Sequence, residues 1–211
     1  AKKQETFSMT TTYGILFAIG SGHLLHDAIQ SVVPALFPIL ERSLSLTYGQ
    51  IGWIGFVLMM TSSVMQPVFG YFADARPLPF LLPFGMSLSL IGLFGLGFAP
   101  NFYLILLSTF IIGLGSAVFH PEGSRVAYMA AGPRRGLAQS IYQVGGNLGQ
   151  SMAPVFTAFI FVPLGQKGAL AFTLVAAVAV IILLYVSRWY RAQLAAIPVK
   201  TTKKEKKQQR K

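Results

Sequence analysis

The stretch GHLLHDAIQSVVPALFPIL, residues 22–40, places four polar side chains inside a long apolar segment. His23, His26, Asp27 and Gln30 follow the spacing i, i+3, i+4, i+7, which puts them on one face of a helix. Ionisable groups at membrane depth are costly, and they usually face a cavity, a proton path or a substrate. The stretch therefore predicts a membrane-spanning helix whose polar face borders a cavity.

The composition of the whole chain agrees with a membrane protein. Of its 211 residues 54% are hydrophobic and only 11% are charged, with a mean hydropathy of +0.60, whereas soluble domains carry about 25% charged residues. The net charge of +11 does not indicate nucleic-acid binding, because residues 200–211 hold seven of the 17 basic residues and no aromatic side chains interleave with them. The absence of cysteine excludes disulfides, thiolate metal sites and cysteine nucleophiles.

Six segments are long and apolar enough to cross a bilayer, which takes about 20 residues. The first and fourth are the least apolar, because both hold charges. The predicted spans are residues 13–40, 51–72, 80–98, 102–129, 137–162 and 168–187.

The chain divides into an N-terminal segment (1–12), a six-helix transmembrane domain (13–190) and a basic tail (191–211). Fifteen basic residues flank the spans on the side of the two termini and only two, Arg42 and Lys167, flank them on the other. Because basic residues concentrate in cytoplasmic loops, both termini are predicted to be cytoplasmic. The tail is predicted to be disordered and drawn to anionic lipid headgroups.

The six spans are predicted to form two sets of three, related as an inverted repeat. In that arrangement the first and fourth spans are equivalent, and these are the two spans that hold charges within the membrane. The fold class is thus an all-α membrane protein with a 3+3 helix repeat.

The polar face of the first span has the chemistry of a proton-exchanging site. His23 and Asp27 lie one helical turn apart, and so do His26 and Gln30. A carboxylate stabilises a neighbouring protonated imidazole, and imidazole exchanges protons near neutral pH. The alternative is a polar cluster that only joins helices through hydrogen bonds.

The fourth span carries a second group in FHPEGSRVAYMA, where His120, Glu122 and Arg125 lie within two turns. Glu122 and Arg125 are i, i+3 neighbours and can pair. Arg125 is a candidate contact for an anionic substrate, because guanidinium binds oxyanions bidentately. In the alternative interpretation, Arg125 reaches to the membrane interface.

The fifth span presents an uncharged polar stripe. Its side chains either line the cavity, with Gln143 and Asn147 as substrate contacts, or join helices by hydrogen bonds. Gly145, Gly146 and Gly149 have the spacing that lets two helices approach closely. The stripe is Gln139, Gln143, Asn147 and Gln150.

Three segments carry a resemblance to a known family. GYFADARP, residues 70–77, matches the loop motif of the major facilitator superfamily at Gly70 and Asp74, with Arg76 nearby, but lacks its later glycine and paired basic residues. The segments GHLLHDAIQSVVPALFPIL, GLGSAVFHPEGSRVA and GLAQSIYQVGGNLGQSMAP together resemble the fosmidomycin-resistance branch of that superfamily.

The resemblance implies a drug efflux carrier of the bacterial inner membrane that exchanges its cargo for protons. It implies that Asp74 in the loop motif helps to hold the inward-closed arrangement of the two halves by contacting a helix of the other half. It also implies that the polar residues of the first and fourth spans line a central cavity, with Asp27, His23 and His26 coupling protons and Gln30, His120, Glu122 and Arg125 contacting substrate.

The family has twelve spans in two halves, and this chain corresponds to one half, with a tail that resembles the start of the linker between halves. We therefore expect the chain to work with a second six-helix half or with a second copy of itself, unless it is a piece of a longer protein. The alternative function is a membrane subunit that does not transport. No HExxH pair accompanies His23, His120 and Glu122, so neither an enzyme nor a metal site is predicted, and no cofactor beyond a proton gradient is expected.

Overall fold

The computed structural model describes residues 10–196 as a bundle of helices, with no strand in that range. The predicted basic tail beyond residue 196 and the lysines at positions 2 and 3 lie outside the described residues. The helices are α1 (Tyr13–Ala35), α2 (Phe37–Ser43), α3 (Tyr48–Ala75), α4 (Leu81–Phe98), α5 (Phe102–Ala130), α6 (Arg135–Ser151), α7 (Ala153–Phe156), a π-helical turn (Thr157–Phe161), α8 (Val162–Leu164), a 3₁₀ helix (Gln166–Leu170) and α9 (Ala171–Ala196).

These elements form six stretches long and apolar enough to span a membrane, as predicted. The fourth, formed by α5, is more apolar than the first, second, third and fifth, so the expectation that its charges make it a weak span was wrong. The apolar stretch of this span, residues 102–119, ends before His120, Glu122 and Arg125. The spans are Tyr13–Ser43, Tyr48–Ala75, Leu81–Phe98, Phe102–Ala130, Arg135–Leu164 and Gln166–Ala196.

Local sequence sets the ends of several helices. Thr47 and Gln50 form a reciprocal capping box at the start of α3, and the Asn101 side chain accepts a hydrogen bond from Leu104 N at the start of α5. Such caps satisfy the free N–H groups of a first turn. They fix where the second and fourth spans begin.

The first and fifth spans are both interrupted, and the two interruptions are bonded to each other. Because Pro38 has no N–H, the helix breaks at Leu36, between α1 and α2. The Ala35 carbonyl there accepts a hydrogen bond of 2.8 Å from the hydroxyl of Thr157, which begins the π-helical turn of the fifth span.

The packing of the spans obeys a symmetry that matches the predicted inverted repeat. The first span packs on the fifth and sixth, and the fourth packs on the second and third, while the first also packs on the fourth and the third on the sixth. Exchanging spans one, two and three with four, five and six leaves these six pairings, the most extensive between spans, unchanged. Spans three positions apart in an up-and-down chain run in opposite directions, so the repeat is inverted.

The two ends of the described chain lie on one side of the bundle, called the terminal side below. There the backbone N–H of Thr12 donates to the Ala130 carbonyl at 2.9 Å, and Arg134 donates to the Tyr13 hydroxyl at 2.7 Å. The start of the first span is thus joined to the end of the fourth. The polar face of α1 lies near the middle of the spans, between α5 and α6.

Candidate functional site

Asp27 is the centre of a buried cluster of polar side chains; its exposed fraction is 1%. His23 Nε2 lies 3.4 Å from one carboxylate oxygen, Oδ2, and His120 Nε2 lies 3.2 Å from the other, Oδ1. His26 Nδ1 lies 3.3 Å from Oδ1, and the Gln150 amide donates to Oδ2 at 2.8 Å. Three imidazoles and an amide from α1, α5 and α6 therefore share one carboxylate.

The outward nitrogens of two of these imidazoles are bonded to the backbone. His23 Nδ1 lies 2.7 Å from the Tyr142 carbonyl oxygen on α6. His120 Nδ1 lies 2.8 Å from the Ser116 carbonyl oxygen one turn earlier on α5. These bonds hold both rings with their other nitrogen, Nε2, within 3.4 Å of Asp27.

Ring stacking fixes the remaining orientations. His23 stacks on the Tyr142 ring, with centroids 4.0 Å apart, and His26 stacks nearly parallel on Phe119, with centroids 4.5 Å apart. His26 Nε2 is buried without a hydrogen-bond partner among the described residues. The cluster is thus held between two aromatic rings.

The glycines of α6 make room for the cluster, in agreement with their predicted spacing role. A Cβ at Gly146 would collide with the His23 ring, and one at Gly145 or Gly149 would collide with backbone atoms of α1. The absence of side chains at these positions lets α6 approach α1 backbone to backbone. That approach brings Tyr142 and Gln150 within bonding distance of α1.

The cluster opens onto a cavity of about 350 Å³ between α1, α3 and α5. His120 and Gln150 belong to both the cluster and the cavity wall, since both contact Asp27 and both line the cavity. No Lys, Arg, Asp or Glu among the described residues lines this cavity, and His120 is its ionisable lining group. The other polar lining residues are Gln30, Ser31, Ser62, Ser63, Gln66 and Ser116.

The acidic and basic groups that follow His120 on α5 lie elsewhere, towards the terminal side. Arg125 donates to the Ala73 carbonyl at 2.8 Å and forms an ion pair with Asp74 at the end of α3. Glu122 is buried and accepts a hydrogen bond of 2.8 Å from the Tyr190 hydroxyl of α9. We call these four side chains, Glu122, Tyr190, Arg125 and Asp74, the terminal-side group.

The structure thus brings together His23, His26, Asp27, Gln30 and His120, as the sequence predicted. It places Glu122 and Arg125 away from the cavity, where Glu122 accepts a hydrogen bond from Tyr190 and Arg125 pairs with Asp74. Helical geometry separates Glu122 from His120, because positions 120 and 122 face nearly opposite directions. Gln143 and Asn147 are exposed on α6 and do not line the cavity.

The loop-motif residues lie at the junction of α3 and α5. Gly70 lies on α3 beside Pro121, since a Cβ there would come 3.8 Å from its ring. Asp74 pairs with Arg125 of the same half, and Arg76 is exposed just after α3. The motif therefore joins two helices within the described bundle.

Sequence reasoning missed the contribution of α3 to the cavity. Ser62, Ser63 and Gln66 line it, and their one-turn spacing in TSSVMQP, inside an apolar span, could have indicated a polar face. The hydrogen bonds to the Tyr142 and Ser116 carbonyls could not have been predicted, because backbone acceptors are not recognisable by residue type.

Three side chains of the Asp27 cluster lie close enough together to bind one metal ion. Donor atoms of His23, Asp27 and His120 all lie within 4.8 Å of one another, and nitrogen and carboxylate oxygen are ligands that zinc accepts. Glu122, the other acidic candidate from the sequence, is not part of this group. That the site functions without a metal remains a prediction.

Comparison with known proteins identifies the family. The family model of the Major Facilitator Superfamily matches residues 12–211. The chain belongs to the major facilitator superfamily. Members of this superfamily are transporters, and the six spans with their inverted repeat form one half of the major facilitator fold.

Two relatives are similar along nearly the whole chain. An uncharacterized MFS-type transporter of Bacillus subtilis (strain 168) is 61% identical over 197 residues, covering 93% of this chain and 48% of its own length. The fosmidomycin resistance protein of Escherichia coli (strain K12) is 48% identical over 189 residues, covering 90% of this chain and 47% of its own length. The chain therefore spans about half the length of these relatives.

A more distant relative is a probable nitrate transporter of Staphylococcus epidermidis. It is 28% identical over 123 residues, which cover 58% of this chain and 32% of that protein. The resemblance to the fosmidomycin-resistance branch, first drawn from three motifs, thus extends over nine-tenths of the chain.

Proposed function

We propose that this chain forms half of a carrier that exports a small polar or anionic compound, similar to fosmidomycin, in exchange for protons. Asp27 and its imidazoles couple the protons, and the cavity beside them receives the cargo. The carrier works when a second six-helix half completes it. The chain is not an enzyme, and the proton gradient is its source of energy.

The observation that carries this proposal is a buried carboxylate that shares its oxygens with three imidazoles and opens onto a cavity. A buried ion pair of this kind costs more free energy than packed apolar side chains would. Its position midway along the spans, between α1 and α5, is where secondary transporters bind substrates and coupling ions. Proton exchange there accounts for both the cost and the location.

The lining of the cavity indicates the class of cargo. Amide and hydroxyl groups from α1, α3 and α5 form most of its polar wall, and these groups bind polar, hydrogen-bonding molecules. An acidic cargo would meet a positive charge in this half at His120, since Arg125 is engaged with Asp74. The name of the Escherichia coli relative adds fosmidomycin as the first compound to test.

The exposed polar face of α6 supports pairing with a second half. Gln143 and Asn147 are exposed there, and Gln150 is exposed although it reaches Asp27. Amide groups facing lipid would cost several kcal/mol each. A second set of helices, or a second copy of this chain, would cover them and form the opposite wall of the cavity.

Vesicle transport of fosmidomycin tests the proposal. Vesicles would contain the chain alone, or the chain joined to the part of the Escherichia coli relative that it does not match. We expect the joined protein to transport fosmidomycin when a proton gradient is applied, and an uncoupler to abolish this transport. Asp27→Asn should lose the dependence of transport on the proton gradient. Glu41→Gln, a carboxyl-to-amide change outside the cluster, should transport normally.

Transport that persists without a proton gradient, or full coupling in Asp27→Asn, would contradict the antiport mechanism. Binding of the chain to another carrier, with no transport in either form, would instead favour a non-transporting subunit. Transport by the chain alone would indicate that two copies form the carrier.

We further propose that both termini lie in the cytoplasm of a bacterial inner membrane, with the basic tail against anionic headgroups. Because the chain has no cysteine, single cysteines can be introduced without a background. A membrane-impermeant thiol reagent added to intact cells should label Arg42→Cys and Lys167→Cys but not Arg135→Cys. The opposite labelling would reverse the orientation.

A further inference from the structure

We infer that His23, Asp27 and His120 form a binding site for a divalent transition-metal ion, and that Zn²⁺ is the ion that fits it best. The inference goes beyond the proposed function, which needs no metal. Zn²⁺ at this site is an inhibitor that occupies the carboxylate and two imidazoles, and it is not a cofactor. No sequence motif marks the site, because its donors come from two helices, α1 and α5.

The first step is the nitrogen that each ring leaves free. His23 Nδ1 lies 2.7 Å from the Tyr142 carbonyl oxygen, and His120 Nδ1 lies 2.8 Å from the Ser116 carbonyl oxygen. A carbonyl oxygen only accepts hydrogen bonds, so each neutral ring carries its hydrogen on Nδ1 and its lone pair on Nε2. Metal-binding histidines have this arrangement, in which the nitrogen away from the ion donates to a carbonyl or carboxylate. Both rings therefore offer Nε2 as a ligand.

The second step is the spacing of the donor atoms. His23 Nε2 lies 3.4 Å from Asp27 Oδ2, and His120 Nε2 lies 3.2 Å from Oδ1. Two ligands of one zinc ion, each about 2.1 Å from it at a tetrahedral angle, lie about 3.4 Å apart. One donor atom from each of the three side chains lies within 4.8 Å of the others. A small rotation of the His120 ring, which borders the cavity, brings all three donors to one ion.

The third step is the direction of the lone pairs. Neither Nε2 contact has hydrogen-bond geometry, because a hydrogen on either nitrogen would point away from the line to the facing carboxylate oxygen. At a similar distance, His26 Nδ1 does form a hydrogen bond to Oδ1. Around a tetrahedral ion, the lone pair of each ligand points at the ion, about 35° from the direction to the neighbouring ligand atom. The His23 and His120 contacts are therefore spaced as ligands of one ion and not aligned as hydrogen bonds.

The Asp27 carboxylate is held in place by two groups that do not act as ligands. The Gln150 amide donates to Oδ2 at 2.8 Å. His26 Nδ1 lies 3.3 Å from Oδ1 and carries the hydrogen between them, since a carboxylate only accepts. Such outer partners orient the ligands of a metal site. His26 is therefore a positioning residue, and the ligand set is two imidazoles and one carboxylate.

This ligand set selects a class of ion. Imidazole nitrogen suits Zn²⁺ and its neighbours among the transition metals, whereas Mg²⁺ and Ca²⁺ prefer oxygen ligands. Three protein ligands leave a fourth position for water, which is the ligand count of zinc sites with an open position.

The cavity gives an ion access to the site. The His120 side chain is 21% exposed and lines the cavity, while the Asp27 side chain is 2% exposed. No Lys or Arg among the described residues lines the cavity, so no fixed positive charge there repels an incoming cation. The ion therefore enters beside His120, and its open position faces the cavity.

Calorimetric titration of the chain in detergent micelles with Zn²⁺ tests the site without any transport. The chain has three histidines and no cysteine, so a purification tag without histidine keeps the background of zinc ligands low. We expect one Zn²⁺ to bind per chain and Mg²⁺ not to bind. Circular dichroism would confirm that the wild type and each variant have the same helical content.

Substitutions separate the ligands from their outer partner. His23→Gln, His120→Gln and Asp27→Asn should each weaken Zn²⁺ binding by more than about 100-fold, because each removes a ligand. His26→Gln should weaken it by about 10-fold, since the loss of an outer partner costs about 10- to 100-fold. Glu122→Gln is the matched control, a carboxyl-to-amide change two positions from His120, and should bind Zn²⁺ as the wild type does.

X-ray absorption of the zinc-loaded wild type reports the ligands directly and requires no variant to fold. We expect two imidazoles, with nitrogen about 2.0 to 2.1 Å from zinc, and oxygen as the remaining ligands. A third imidazole would make His26 a ligand and contradict its role as a positioning residue.

Transport measures the consequence of binding, and only this part of the test rests on the proposed function. Zn²⁺ at a free concentration held by a metal buffer should inhibit proton-driven transport of fosmidomycin by the joined protein, and a chelator should restore it. Because binding is measured separately, a chain that binds Zn²⁺ while the joined protein does not transport would contradict the proposed function and support the metal site.

Three results would overturn the inference. The first is a folded wild-type chain that does not bind Zn²⁺. The second is equal affinity of the wild type and Asp27→Asn for Zn²⁺, and the third is bound zinc that has no imidazole ligand.

Discussion

His120 and Glu122 lie two positions apart on α5, yet they belong to different parts of the molecule. His120 meets Asp27 at 3.2 Å and lines the cavity. Glu122 meets the Tyr190 hydroxyl at 2.8 Å and lies with the terminal-side group, where helices α3, α5 and α9 join. A helix turns about 200° over two residues, so adjacent motif residues serve opposite faces.

The two regions differ in how they use their polar groups. In the Asp27 cluster, three imidazoles and an amide converge on one carboxylate, and the cluster borders a cavity. In the terminal-side group, Glu122 and Arg125 each bond to a partner on a neighbouring helix, which joins elements. The first arrangement suits exchange of protons and the second suits stability, and the following changes test that division.

The largest expected effect separates neighbours on α5. We expect His120→Gln to reduce proton-driven transport on the order of 100-fold, the usual contribution of a positioned proton-transfer group. Glu122→Gln should change it by less than about two-fold, because the amide oxygen still accepts from Tyr190. Vesicle transport of fosmidomycin at equal protein content measures both. Similar losses of transport in the two variants would contradict the separate roles of His120 and Glu122.

The next effect tests how closely α6 must approach α1. Gly149→Ala should lower the free energy of unfolding by about 3 kcal/mol, because its Cβ would collide with the Leu24 carbonyl, a backbone atom. Gly136→Ala is the matched control, since nothing lies within 4 Å of its Cβ position. Unfolding by denaturant in micelles measures the difference. Equal stability of the two variants would mean that α6 can move away at no cost.

A smaller effect is expected in the terminal-side group. Tyr190→Phe removes the hydroxyl that Glu122 accepts from, and should lower the free energy of unfolding by about 1 to 2 kcal/mol. Tyr185→Phe, on the exposed face of α9, should leave it unchanged. Transport by Tyr190→Phe should stay within about two-fold of wild type. If Tyr190→Phe lost proton-driven transport but kept its free energy of unfolding, Tyr190 would have a role in transport and not only in stability.

The smallest effect concerns the ion pair of Asp74 and Arg125. The Asp74 side chain is 78% exposed, and exposed ion pairs contribute about 0 to 1 kcal/mol. A double-mutant cycle with Asp74→Asn and Arg125→Gln should give a coupling energy below about 1 kcal/mol. A larger coupling would show that solvent does not screen this pair and that it contributes more than a surface contact.

Much of the fold followed from sequence pattern. Apolar length predicted all six spans, because about 20 apolar residues per crossing is a requirement of the bilayer. The equivalence of the first and fourth spans also held, since the packing repeats when the two sets of three are exchanged. The hydropathy of the fourth span was misjudged, because its charges follow an uninterrupted apolar stretch, residues 102–119, that is nearly long enough to cross the bilayer.

The site was predicted in part. The spacing of His23, His26, Asp27 and Gln30 placed them on one face, and His120 was correctly expected to face them. Glu122 and Arg125 were placed with His120 because they are near it in sequence, whereas the structure bonds them elsewhere. Gln143 and Asn147 share a helix face, but in the described bundle that face lies outside the cavity.

By itself the sequence determined the membrane environment, the number of spans and the polar face of α1, because each depends on residue type and periodicity along one helix. The tertiary structure alone decided which groups share Asp27, which residues of α3 reach the cavity and which nitrogens of His23 and His120 are held by backbone carbonyls. Those features depend on how closely α1, α5 and α6 approach one another. Glycines of α6 permit the approach to α1, and the contacts involve backbone atoms that every residue type has in common.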